Sequence, residues 1–196
     1  MQQLLLALLI GGLFGFVLDR IGATNPGYII KMLNLTDLHL MKTILAGIGV
    51  ASVLLFGGLL SGLVDVGHMS VKTAYLGVFI GGLLLGAGFA IAGYCPGTGL
   101  TAAATGRWDG LVFVLGGLLG AAAYMGSYAW VKSTGVLEEI AGGKTTLGTV
   151  EGSGYPALME GVSGEAVGLA VGLVLILIAF ALPRSLKGGR AIEPAE

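Results

Sequence analysis

An uncharged run of 34 residues, Thr73 to Gly106, constrains this chain more than any other feature. An α-helix of about 20 residues crosses the hydrocarbon core of a bilayer, so the run exceeds one crossing by about a dozen. It contains Gly93-Tyr94-Cys95-Pro96-Gly97-Thr98-Gly99, and an internal proline both lacks an amide hydrogen and clashes with the preceding turn. The run therefore predicts a span followed by a break. Four further uncharged runs, Met1–Leu18, Thr43–Val64, Gly110–Val131 and Ala166–Pro183, are each 18 residues or longer. Charged residues form 11% of the chain, against about 25% in a soluble domain. The chain reads as an integral membrane protein.

Several classes drop out. The hydrophobicity excludes disorder. A net charge of −1 without a basic run excludes a nucleic-acid partner. Cys95 is the only cysteine, so neither an internal disulfide nor a multi-cysteine metal site is expected. His39, His68 and Cys95 share no ligand spacing, and no metal or cofactor is implied. Met1-Gln2-Gln3 lacks the positive start of a signal peptide, so the first run reads as a retained span.

A faint repeat recurs at a spacing of 70 residues. Gly11-Gly12-Leu13 matches Gly81-Gly82-Leu83, Pro26-Gly27 matches Pro96-Gly97, and Gly47 and Ala51 match Gly117 and Ala121. Each unit, 1–70 and 71–140, reads as a span, a Pro-Gly break, a short helix and a second span. An acidic extracytoplasmic loop, 132–165, and a C-terminal helix and tail, 166–196, complete one polytopic domain, 1–196. The expected fold is all-α integral membrane: about five transmembrane helices with two short Pro-Gly-initiated half-helices of re-entrant type in a weak tandem repeat. Interrupted segments at corresponding positions are a signature of transporter binding sites.

Charge bias sets the orientation, because cytoplasmic loops collect Lys and Arg. With the N-terminus outside, the cytoplasm receives Arg20, Lys31, Lys42, Arg107, Arg184, Lys187 and Arg190, and the outside Lys72, Lys132 and Lys144. The C-terminus is then cytoplasmic.

Proline suits the first position of a helix, so Cys95 is the expected N-cap of a half-helix Pro96–Ala104. The amides of Gly97, Thr98 and Gly99 should lack intrahelical partners and, with the helix dipole, favour an anion beside the sulfur. Thr98, Thr101 and Thr105 fall at i, i+3 and i+7, a possible polar path. In the first unit, Asn25 is the expected N-cap of a helix from Pro26 through Leu33, with a turn at Asn34-Leu35 and Thr36 or Asp37 capping the next span. Thr24 and Asn25 would then face Cys95 across a pore. The substrate-binding set read from these motifs is Cys95, Gly97, Thr98, Gly99, Thr101, Asn25 and Thr24.

Plainer roles compete. A lone cysteine in a membrane helix is usually a small apolar filler. Gly11, Gly12, Gly81, Gly82, Gly116, Gly117 and Gly120 read as helix-packing surface. Tyr94 and Trp108 would anchor or line the break, Arg107 and Asp109 would pair or cap, and Asp19-Arg20 reads as an interfacial pair.

The stretch Gly86-Ala87-Gly88-Phe89-Ala90-Ile91-Ala92-Gly93-Tyr94-Cys95-Pro96-Gly97-Thr98-Gly99, continuing to Gly106-Arg107 and Gly116-Gly117-Leu118-Leu119-Gly120, resembles the YeeE/YedE sulfur-transport family. Gly15-Phe16-Val17-Leu18 through Ile21-Gly22 to Lys42 and Ala51 is similar to its N-terminal unit, so the likeness covers roughly residues 8–130. The resemblance implies inner-membrane uptake of thiosulfate or a related sulfur species, with cysteines at the helix breaks passing the substrate along. Only Cys95 carries over; Ala23, Thr24 and Asn25 stand where the family often has another cysteine. Larger members have about twice the transmembrane content, which implies a homodimer or a second half-length subunit here. A cytosolic sulfur-carrier protein is a further partner implied by the resemblance.

The expected function is transport, not catalysis: passage of a small sulfur-containing anion across the bilayer. Two alternatives stay open. One is a membrane-bound thiol sulfurtransferase, for which the motif supplies no base. The other is an accessory subunit of a larger transporter.

Overall fold

The computed structural model describes residues 2–140, 142–150 and 152–186. Lys187 and Arg190, counted above toward the cytoplasmic side, lie outside the described residues. The helices are α1 (Gln2–Arg20), α2 (Pro26–Leu33), α3 (His39–Leu60), α4 (Leu76–Ala92), α5 (Pro96–Ala104), α6 (Trp108–Ser133) and α7 (Gly164–Ala181). Five stretches are long and apolar enough to cross a membrane, and the third, Leu76–Ala104, spans both α4 and α5. The chain is a multi-pass membrane protein. Leucines and phenylalanines are exposed along the described spans, and α1 buries none of its residues. In lipid such outward apolar faces carry no penalty, while the helices satisfy their own backbone groups.

Contacts divide the chain into two compact units. One comprises Met1–Leu40, Leu83–Tyr128 and Pro183–Glu196. Its core gathers around the first break: Ala23, Ile29, Met32, Leu38, Leu40, Tyr94 and Ala102 are all buried. Ile29 and Met32 lie three apart and so share one face of α2. Leu38 N–H donates to the Arg184 carbonyl at 2.9 Å, and Leu186 N–H donates to that of Leu35 at 3.1 Å. The segment leaving α7 is thereby clasped to the turn that follows α2.

The other unit comprises Met41–Gly82 and Ala129–Leu182. Here α3 and α7 approach backbone to backbone. A β-carbon at Gly49 would lie 2.7 Å from the Gly172 carbonyl oxygen, and Gly168 lies beneath the Phe56 ring. Ser52 Oγ donates to the Gly168 carbonyl at 2.9 Å. Small residues permit this approach, and the hydroxyl holds it. Lys42 Nζ donates to the Leu182 carbonyl at 2.9 Å, which places a cation at the α7 C-terminus, where the dipole favours it.

One expectation needs correction. The seven glycines assigned to packing face open space: a β-carbon on Gly11, Gly12, Gly81, Gly82, Gly116, Gly117 or Gly120 would meet nothing within 4 Å. Glycine content marks a helix for close approach but does not say which face is used. The helical membrane fold is as expected; the loop after α6 adds only a small parallel sheet, β1 (Thr146–Thr149) with β2 (Ala157–Ser163). Parallel pairs usually need a crossover of a dozen residues or more; here a short link turns through Gly152 and Gly154, both at positive φ.

Candidate functional site

The second break is built as its residues dictate. Gly93 adopts φ +69°, ending α4, and Cys95 then takes an extended conformation as the N-cap of α5. A capping box closes it: Cys95 N–H donates to Thr98 Oγ1 at 2.9 Å, while Thr98 N–H donates to Cys95 Sγ at 3.3 Å. The Thr98 hydroxyl also lies 3.2 Å from the sulfur. Cys95 is half-buried and Thr98 only 5% exposed.

Pairing of these amides alters the expected anion pocket. Thr98 N–H is committed to the sulfur, and Gly99 N–H donates to the Cys95 carbonyl at 2.9 Å as the first helical bond. Among the described residues, the exposed Gly97 amide takes no partner. Gly99 instead admits the Phe113 ring, which a β-carbon there would meet. Gly110 likewise lets α6 settle onto α5, since a β-carbon would come 2.6 Å from Ala103 N.

The first break is a close counterpart. Asn25 is the N-cap of α2, its Oδ1 accepting from Gly27 N–H at 2.9 Å. Asp37 Oδ1 accepts from His39 N–H at the start of α3. The two breaks touch: a β-carbon at Gly93 would lie 2.9 Å from Pro26 Cβ and 3.4 Å from Ile30 Cγ1. Among the described residues no hydrogen bond joins Cys95 to Thr24 or Asn25.

Thr101 and Thr105 do not continue a path from Thr98. They line a cavity of about 480 Å³ between α1 and α5, facing Gly11, Gly12, Gly15 and Asp19, and Thr98 is not part of its wall. Asp19 does not pair with Arg20. Its Oδ1 accepts from the hydroxyl of Thr24, a residue 7% exposed, at 2.7 Å. The Arg20 guanidinium lies over the Phe16 ring at 5.8 Å.

One cluster was only half visible in the sequence. Arg107 and Asp109 do pair, at 2.9 Å. The buried Tyr94 joins them, its hydroxyl donating to Asp109 Oδ2 at 2.8 Å and accepting from Arg107 Nε at 3.2 Å. The hydrogen bonds to Asp109 and then to Tyr94 raise the Arg107 pKa above its ordinary value. Tyr94 also tilts against Phe113, with ring centroids 5.6 Å apart. The residue before Cys95 is thus anchored to the start of α6, whereas Trp108 is 81% exposed.

Neither the curated proteins nor the solved structures give a significant match to the chain. A family model described as sulphur transport does match, over residues 24–195. The match begins in the first break and runs beyond α7, further toward the C-terminus than the motifs quoted above. It covers both capped breaks and most of the chain, and the chain belongs to the sulphur-transport family.

Proposed function

We propose that the chain passes a small sulfur-containing anion, thiosulfate or a close relative, inward across the cell inner membrane. The N-terminus lies outside and the C-terminus in the cytoplasm. The observation that carries the reading is the capped Cys95 at a break within a membrane-spanning stretch of a sulphur-transport chain. The sulfur accepts from Thr98, and the thiol keeps its own hydrogen to donate to a terminal sulfur of the substrate. The unpartnered Gly97 amide adds a second donor at the positive end of α5.

Asn25 supplies a third. Its Oδ1 is engaged by Gly27, so its amide NH2 is available to an anion. Thr98 and Gly99 hold this geometry from beneath, and Thr24 and Thr101 extend the contact set below the break. The half-helices act as re-entrant elements that keep irregular backbone facing a polar path rather than lipid. The two tandem units each contribute one break.

The test is uptake of labelled thiosulfate by cells expressing wild type, Cys95→Ser or Cys95→Ala. Loss of uptake in both variants supports the assignment. Unchanged uptake removes Cys95 from the mechanism, and no uptake by wild type removes thiosulfate as substrate.

The outward glycines favour a second reading of the working unit. Each helical glycine costs up to about 1 kcal/mol relative to alanine, and Gly11, Gly12, Gly81, Gly82, Gly116, Gly117 and Gly120 gain no close packing within this chain. A homodimer, or a second half-length subunit to which this chain is accessory, would use them. Co-purification of tagged and untagged copies separates the two. A cytosolic sulfur carrier would receive the substrate on the inner side.

A further inference from the structure

The Arg107–Asp109 pair is exposed, its side chains 40% and 45% accessible, and an ion pair so placed adds little to stability. Its hydrogen bonding is nevertheless complete. Asp109 Oδ1 accepts from Arg107 Nε and from Gly110 N–H, both at 3.1 Å. Oδ2 accepts from Arg107 Nη2 at 2.9 Å and from the Tyr94 hydroxyl at 2.8 Å. Each carboxylate oxygen thus accepts twice, which fills its lone pairs, and the planar guanidinium fork fixes the orientation. With Asp109 saturated, the effect of the cluster is directional: it dictates where the Tyr94 hydroxyl lies. Tyr94 is buried, and a buried hydroxyl has to reach partners of this kind.

Tyr94 immediately precedes Cys95, and α6 grips both flanks of that cysteine. The Phe113 ring, one turn beyond Asp109, tilts against Tyr94 and also reaches Gly99. Before Tyr94, Gly93 rests on Pro26. The backbone around the sulfur is therefore pinned from α6 and from the first break, in addition to the Thr98 cap.

We propose that Tyr94, oriented by Asp109 and Arg107, is a positioning residue for the Cys95 thiol. Its effect on uptake rests on the transport reading; its effect on the sulfur itself does not. A working donor has to be held within about 0.5 Å of its productive geometry, and a misplacement of about 1 Å can cost about 100-fold in rate. Without the hydroxyl, the turn through Cys95 loosens from α6, and the sulfur leaves Thr98 more often and meets solvent.

The experiment uses the full-length protein. Cys95 is the only cysteine, so alkylation by a small maleimide reports that thiol alone. Labelling rates are measured in detergent, far below the unfolding midpoint of each variant, and thiosulfate uptake by cells is resolved into maximal rate and KM. Tyr94→Phe should label several-fold faster than wild type and lose about tenfold in maximal uptake rate, with KM little changed. Arg107→Lys keeps the charge but not the fork and should follow it. Tyr124→Phe removes a hydroxyl from the same helix outside the cluster and should match wild type. Labelling of Tyr94→Phe at the wild-type rate, equal acceleration in Tyr124→Phe, or a loss of uptake carried by KM alone overturns the proposal. If wild type takes up no thiosulfate, the transport reading fails and the labelling rates decide the proposal by themselves. If Tyr94→Phe does not fold, Arg107→Lys takes its place, and wild-type labelling there overturns the proposal.

Discussion

Gly93 rests directly on Pro26, so the residue that ends one long span lies against the first helical residue after the other break. The contact joins two segments 67 positions apart (93 minus 26) and leaves no room for a β-carbon, which would come 2.9 Å from Pro26 Cβ. The backbone at Gly93 is also left-handed, φ +69°. Replacement with alanine should lower stability by at least about 1 kcal/mol from the backbone alone, with the clash adding to it. Thermal unfolding in detergent measures this, and a Gly93→Ala protein as stable as wild type would show that the breaks do not touch.

Cys95 has a structural duty as well as the proposed chemical one, and serine separates them. Cys95→Ser keeps a side-chain acceptor for Thr98 N–H, so its stability should stay near wild type while uptake falls. Cys95→Ala loses the cap and should lose about 1 kcal/mol in addition. Equal stability of the two variants would mean that the sulfur is not capping α5.

Tyr94→Phe removes the hydroxyl shared by Asp109 and Arg107 but keeps the ring against Phe113. It should cost roughly 1 kcal/mol, the usual worth of such a bond. The same substitution in an Asp109→Asn background should cost less, because the two residues act in one network. Fully additive losses in this double-mutant cycle would dissolve the cluster.

Glycines on the two kinds of face should respond oppositely. Gly172→Leu forces α7 away from Gly49 and should destabilise the monomer by about 1–3 kcal/mol, as overpacking does. Gly117→Ala meets no atom and should leave monomer stability unchanged or slightly raised, while weakening cross-linking between copies if that face is an interface. Size-exclusion and cross-linking measurements read both effects.

Orientation can be read by chemistry. In a Cys95→Ser background, Lys72→Cys should react with a membrane-impermeant maleimide in intact cells, and Lys31→Cys only after permeabilisation. The reverse pattern would invert the topology.

The bounds of α2 and α5 were legible because they are set locally. A proline fixes the first helical residue, and the preceding Asn25 or Cys95 supplies the cap, so neighbours in sequence suffice. Which amides remain available was not legible, since it depends on Thr98 reaching back to the sulfur and on Gly99 starting the helical ladder. The Arg107–Asp109 pair could be read from adjacency; the buried Tyr94 hydroxyl could not, because it arrives through the turn at Gly106. The role of Gly49 against Gly172 was equally hidden, as a glycine records that approach is possible without naming its partner. Asp19 looked like one half of an interfacial pair until the fold showed Thr24 folded back onto it.

The clasp between Leu35-Leu38 and Arg184-Leu186 carries a consequence for biosynthesis. The turn after α2 is made early, yet two of its backbone groups find their partners only in residues synthesised after the last membrane helix. The turn after α2 is not latched until the segment beyond α7 has been made. Premature termination at Ala181 would therefore be felt near the beginning as well as at the missing end, leaving Leu35 and Leu38 without the partners that brace their turn.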